Sequence, residues 1–259
     1  DKAIKYYKKA LILNPNNAYI YNNLSKIYFD LGDHKAALNN SIKALKMKKN
    51  DGDIQKTISF IYLKDHDFEN GWSYYDGRLD IEDFKEKNNF IKKLNKKLYR
   101  SRSLNNQKSK FLIVREQGVG DEILYSSMYE DVLSDFDNII IECDPRLLNF
   151  YKRSFSGYRE KFVSLGTITN DDDEFKKIDY IIYAGSLGRY YRKNIKDFKN
   201  NSFLKVDEKK LEEMKSKISI YKKKYKIGLS WKSFSDKFAT DKSLNLKDLK
   251  KIFSFTNCD

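Results

Sequence analysis

Phe111-Leu-Ile-Val-Arg115-Glu-Gln-Gly-Val-Gly120-Asp-Glu-Ile-Leu124 reads as a short apolar strand, a glycine-containing loop and the start of a helix. Comparable apolar runs follow at Asn138-Ile-Ile-Ile-Glu142, Phe162-Val-Ser-Leu165 and Ile178-Asp-Tyr-Ile-Ile-Tyr183. Short apolar runs divided by helix-like segments are the pattern of an α/β domain built on a parallel sheet. A helix is expected through Met128 and Val132, Asp144-Pro145 supplies an N-cap followed by Pro at the first helical position, Lys226-Ile-Gly-Leu-Ser-Trp231 reads as a further strand, and one helix is expected over Leu246 to Phe253.

The loop after the first strand carries the chemistry. Gly118-x-Gly120, with Glu142 lying 22 residues beyond Gly120, superficially matches a dinucleotide fingerprint. Ile123 takes the place of its third glycine, and Asp121 and Glu122 put negative charge where a pyrophosphate needs bare amides. No Gly-Lys-Ser/Thr follows, so it is not a Walker A loop either. The two glycines bring backbone close to a ligand, while Asp121 is offered at the carboxyl edge of the strand, where open α/β sheets bind ligands. Asp121 is equally suited to cap the helix, and the two roles are compatible.

Upstream the period changes. Ala3, Ala37 and Gly71 are each 34 residues apart, and the spacing recurs between Ala10 and Ala44, Leu24 and Ile58, and Tyr28 and Tyr62. These residues resemble the tetratricopeptide repeat, in which small residues let two antiparallel helices approach and large apolar ones fill the gap. Ala18 to Asp51 is one full unit, preceded by half a unit and followed by a degenerate one in which Arg78 stands where Ala is expected. Such an array offers a groove for a peptide or protein, or extends a neighbouring domain as a bare solenoid. His34 and His66 are the only histidines and fall at the turns, so any general base must be Asp, Glu, Lys, Tyr or Cys.

The 259 residues can bury a core without disulfides or metal. A mean hydropathy of −0.73 and the lack of a long apolar run argue against a membrane span. Cys143 and Cys258 stand apart without ligand spacing, which fits a reducing cytoplasm. The formal charge is +14, yet only nine of the 51 basic residues are Arg, the residue suited to phosphate and base edges. The excess sits in two connectors: residues 85–110 carry +9 and residues 215–226 carry +6. Nucleic acid is therefore not the expected partner. Asp171-Asp-Asp173 reads as a solvated turn rather than a metal site.

Taken together, Glu116-Gln-Gly-Val-Gly-Asp-Glu-Ile-Leu124, the run Gly185-Ser-Leu-Gly-Arg-Tyr-Tyr-Arg192, and Ile227-Gly-Leu-Ser-Trp-Lys-Ser233 followed by Asp241-Lys-Ser-Leu244 resemble bacterial tetratricopeptide-repeat proteins with a C-terminal glycosyltransferase domain. That domain is similar to heptosyltransferases and, in architecture, to O-GlcNAc transferases. Gly71-Trp72-Ser-Tyr-Tyr75-Asp-Gly-Arg78 closes the repeats in the same resemblance. It implies an α-helical TPR solenoid followed by an α/β Rossmann-like domain of GT-B type, with a second Rossmann-like domain truncated. The expected boundaries are 1–84 for the repeats, 85–110 for a basic connector, 111–210 for the first Rossmann-like domain, 211–224 for a linker helix and 225–259 for the start of the donor-binding domain. The chain is expected to be a fragment of a longer protein.

The resemblance also implies a nucleotide-sugar co-substrate, no metal and no further cofactor. It makes Asp121 the candidate base, with Glu116, Gln117, Gly118, Gly120, Ser186 and Arg189 at an acceptor cleft. Trp231, Lys232, Ser233, Lys242 and Ser243 are the candidate contacts to the donor diphosphate.

Overall fold

The computed structural model describes residues 2–87, 97–101, 103–104, 108–168, 173–221, 227–232 and 243–254. The chain divides into two compact units, residues 1–205 and 206–259.

The first unit opens with helices α1 (Lys2–Leu13), α2 (Ala18–Asp30), α3 (His34–Met47), α4 (Gly52–Lys64) and α5 (Phe68–Tyr75). Each of α2 to α5 begins on an acidic or amide cap: the side chains of Asn17, Asp33, Asp51 and Asp67 accept backbone N–H groups of the first turn. The turns repeat as well. Gly32 and His66, one period apart, both adopt left-handed backbone, at φ 81° and 62°. Ala37 and Ala44 are fully buried where helices meet, and a Cβ at Gly71 would lie 2.6 Å from Leu63 Cδ2. Ala37, Ala44 and Gly71 therefore do what the 34-residue period assigns them, whereas Ala3 is exposed and Ala10 only half-buried on α1. After α5 the chain tightens into a 3-10 turn, Asp76–Asp80, and helix α6 (Glu82–Lys87).

Among the described residues, five strands form one parallel sheet: β1 (Lys97–Leu98), β2 (Phe111–Val114), β3 (Ile139–Cys143), β4 (Phe162–Ser164) and β5 (Tyr180–Tyr183). Their order is β1-β5-β2-β3-β4. Ile113 registers with Ile141 on one side and Ile182 on the other, so β2 is central. Both faces of β2 are covered, which is why its sequence is continuously apolar. Phe111 and Ile113 join a core with Tyr125, Met128, Tyr129, Val132, Tyr151 and Phe155, contributed by α7 (Val119–Tyr125), α8 (Tyr129–Asp135), α9 (Pro145–Ser154) and the turns beside them. Leu112 and Val114 face Leu79, with Phe84 packed alongside, so the tail of the helical array covers the opposite face.

Three expectations change. The helix predicted through Met128 and Val132 is broken by a 3-10 turn at Ser126–Met128, where Ser126 Oγ donates to the Ile123 carbonyl at 2.7 Å. A side chain that competes for backbone in this way weakens a helix. The strand expected at Lys226–Trp231 is not part of any sheet among the described residues, and Lys226 lies outside them. A strand requires a ladder partner. The backbone bond formed there is Leu244 N to Trp231 O at 2.8 Å.

The second unit contains α10 (Glu208–Ile218) and 3-10 turns at Leu246–Leu249 and Ile252–Ser254, in place of the single helix expected over 246–253. No helix among the described residues is long and apolar enough to cross a membrane.

Candidate functional site

The strand order places one feature of the sheet apart from the rest. From β2 the chain proceeds outward through β3 to β4, then returns to the other side of β2 as β5. Adjacent connections that leave in opposite directions open a crevice at the carboxyl ends of β2 and β5, the usual ligand position in such sheets. The residues arriving there are Arg115 to Asp121 after β2 and Ala184 to Arg189 after β5.

Asp121 lies in the first turn of α7 and is half-buried. Its Oδ2 accepts the Gly118 N–H at 3.1 Å, closing the start of the helix with the protein's own carboxylate. Glu122 points inward: Arg115 Nε donates to it at 2.7 Å and the Asp144 N–H at 3.0 Å. Burial raises the Glu122 pKa, with both donors acting against that rise. The Asp121 carboxylate thus already sits at the helix start, where its charge opposes a pyrophosphate. Gln117, Gly118 and Gly120 are exposed. Gln117 holds a φ of 61°, with its carbonyl bonded to Arg115 Nη2 at 3.0 Å and its amide donating to Tyr125 Oη at 3.0 Å.

Glu116, Ser186 and Arg189, expected to line an open cleft, are instead drawn into a junction with the helical array. Glu116 is 2% exposed and receives Arg78 Nε at 2.9 Å, Arg78 Nη2 at 2.6 Å and the Gly185 N–H at 2.6 Å. Ser186 Oγ donates to Asp76 at 2.7 Å and accepts from Arg78 at 3.1 Å, and Arg189 Nη2 lies 3.2 Å from Asp76. The physical reason is Arg78, which at 3% exposure needs carboxylate partners. Burial alone would lower the pKa of its guanidinium, but Glu116 more than reverses this, and the pKa lies above its ordinary value. The sequence contained one signal of this: Arg78 departs from the small residue that the repeat calls for.

Glu142, which the sequence placed only in a weak dinucleotide fingerprint, is buried. It is 2% exposed, and its Oε1 has no hydrogen-bond partner. Burial pushes its carboxyl up to about 7, against the Gly166 N–H and Arg115, which pull it down.

A second concavity lies on the array. Lys26, Phe29 and Asp30 of α2 and Asp53, Lys56, Thr57 and Phe60 of α4 line a groove of about 330 Å³. Lys26 Nζ and Asn22 Nδ2 both donate to Asp53 Oδ2, at 2.6 and 2.8 Å, and Phe60 remains 42% exposed. Charges of both signs beside one exposed and one half-buried phenyl ring suit a polypeptide better than a uniformly charged polymer.

Of the expected donor-site residues, Trp231 and Lys232 are exposed and Ser243 is half-buried, all in the second unit. The bond from Leu244 N to Trp231 O places the segments bearing Trp231 and Ser243 side by side. Ser233 and Lys242 lie outside the described residues, as do Asp171 and Asp172.

Comparison with known proteins agrees with the helical pattern. Residues 1–32 match a family model described as TPR repeat, and residues 18–51 match one described as tetratricopeptide repeat. Tetratricopeptide repeats are therefore present in the N-terminal region. The chain is also similar to Protein FlbA of Caulobacter vibrioides, at 24% identity over 247 residues, spanning 89% of this chain and 40% of that protein. It thus covers two fifths of the length of that relative.

Proposed function

We propose that the chain carries the acceptor-side half of a GT-B glycosyltransferase, with Asp121 as general base and the tetratricopeptide groove holding a protein or peptide partner. The observation that carries this reading is the position of Asp121. Strands β4, β3, β2 and β5 follow the spatial order of a Rossmann-like sheet, and the loop leaving β2 brings a half-buried carboxylate to its reversal point.

Sugar transfer requires a carboxylate to take the proton of the acceptor hydroxyl as its oxygen attacks the anomeric carbon. The departing nucleoside diphosphate requires cations or amides. Trp231, Lys232, Ser243 and the undescribed Ser233 and Lys242 are assigned to it, with the nucleotide-sugar as co-substrate and no metal.

Asn keeps a side-chain oxygen able to accept the Gly118 N–H that Asp121 now takes. Asp121→Asn therefore removes the base while preserving the cap, and turnover of nucleotide-sugars by the full-length protein is expected to fall at least about 100-fold. Unchanged turnover would exclude Asp121 as the base.

A second reading, a non-catalytic interaction scaffold, has its own observation: Asp121 already bonds Gly118, and Glu116, Ser186 and Arg189 are committed to the junction. On that reading the protein captures peptides through the groove and binds no nucleotide-sugar. Calorimetric titration with nucleotide-sugars separates the two.

A further inference from the structure

We infer that Gly71-Trp72-x-x-Tyr75-x-x-Arg78, at the end of the repeats, is a positioning device for the glycine loop of the sheet. Tyr75 and Arg78 hold Glu116 to Asp121 in the conformation that presents the Asp121 carboxylate. The kinetic consequence rests on the reading of Asp121 as a base, whereas the structural one does not.

Helix α5 stops at Tyr75, and the 3-10 turn that follows carries the Arg78 guanidinium to the crevice between β2 and β5. All five of its N–H donors have acceptors: Glu116 twice, Ser186 Oγ, the Tyr75 carbonyl and Asp76. None is left for a phosphate, so Arg78 serves the loop rather than a ligand. Glu116, the second residue after β2, also takes the Gly185 N–H, and so ties the ends of β2 and β5 together at the root of the loop.

A second attachment runs through hydroxyl groups. Tyr75 Oη and Tyr125 Oη are 2.7 Å apart, and Tyr125 Oη receives the Gln117 amide. Gln117 occupies left-handed backbone that a side chain adopts only when its surroundings hold it there. Trp72 completes the seat by donating to the Arg192 carbonyl at 2.7 Å. The sheet side is shaped to match. A Cβ at Gly185 would lie 2.6 Å from Glu116 Oε1 and 3.1 Å from the Tyr75 ring, and one at Gly188 would lie 2.5 Å from the Trp72 ring.

Hydrogen exchange read by mass spectrometry on the full chain tests this with Tyr75→Phe, which keeps the ring and removes only the hydroxyl, and with Arg78→Lys, which keeps the charge and removes the fork. In Tyr75→Phe, amides in 116–125 are expected to exchange about fivefold faster, the equivalent of one lost hydrogen bond, with those in 139–143 and 54–61 unchanged. Unchanged loop exchange in Tyr75→Phe overturns the inference, as does an equal rise in loop, strand and helix. Arg78→Lys should shift the same loop by a similar or larger factor; if it unfolds, Tyr75→Phe decides.

Where the protein transfers sugar, Tyr75→Phe is expected to lower kcat by a similar factor with KM unchanged, and an unaltered kcat overturns the positioning role. A wild-type protein without turnover defeats the reading of Asp121 instead and leaves loop exchange to decide this one.

Discussion

Replacing Glu142 with Gln should make the protein markedly more stable at pH 8 and only slightly more so at pH 5. Glu142 is the penultimate residue of β3, with 2% exposure, one carboxyl oxygen bare of partners and the other served by the Gly166 N–H. Burial raises its pKa from 4.5 to about 7 in the folded protein. Between those values the native state binds a proton that the unfolded chain has released, so stability falls as pH rises. The slope is about 1.4 kcal/mol per pH unit, and the accumulated loss is about 3 kcal/mol above pH 8, where both states are ionised. Below 4.5 both states are protonated and the contribution vanishes.

Gln mimics the neutral acid and does not titrate. Other shifted groups, such as Asp144, held down to about 2 first by its bond to Arg146, occur in both proteins and cancel in the difference. Urea unfolding of wild type and Glu142→Gln at half-unit steps from pH 5 to 8 would measure it, comparing midpoints at a common m-value. The difference should open gradually and level off above pH 7. A difference that does not vary with pH would refute the burial argument.

The junction gives a second prediction. Arg78→Ala leaves the Glu116 carboxylate buried with only the Gly185 N–H, and should cost about 3–5 kcal/mol, whereas Arg78→Met with Glu116→Gln should recover most of it. Thermal denaturation of wild type, Arg78→Met, Glu116→Gln and their double variant, with Arg78→Ala alongside, checks this, and additive losses in the cycle would contradict it. In the loop, a Cβ at Gly120 meets nothing within 4 Å, and Gly inside a helix is about 1 kcal/mol worse than Ala. Gly120→Ala should therefore raise the melting temperature while weakening whatever binding the loop performs; a lower melting temperature would show that the fold itself requires the glycine.

How much of this was legible in the sequence depended on the range of the interaction. The helix pairs, their caps at Asp33 and Asp51 and the left-handed turn at Gly32 follow from residues within a few positions of one another. The apolar runs gave β2 to β5 to within two residues at each end, most clearly for β2, a central strand buried on both faces with no polar position to obscure it. Arg78 and Glu116 are 38 residues apart and belong to different elements, so their pairing exists only once the array has folded against the sheet. Ser186 and Arg189 were misplaced for the same reason, since the Asp76 that engages them lies about 110 residues away. The two-residue strand β1 was hidden in a connector whose composition is dominated by Lys.

The glycines of the two motifs separate what the fold requires from what it does not. At Gly185 and Gly188 a side chain would strike Glu116, Tyr75, Tyr125 or Trp72, so the Gly-Ser-Leu-Gly run is explained by the docking of the helical array. At Gly118 the nearest atom to an added Cβ is Asp121 Oδ2 at 3.5 Å, an ordinary contact, and at Gly120 there is none. Neither residue has positive φ, so the backbone does not demand glycine there. Packing therefore accounts for the loop after β5 and leaves the loop after β2 without an internal reason for its glycines. A glycine that neither sterics nor backbone conformation requires is suited to close approach by something outside the chain, and the carboxylate within three residues of both is Asp121.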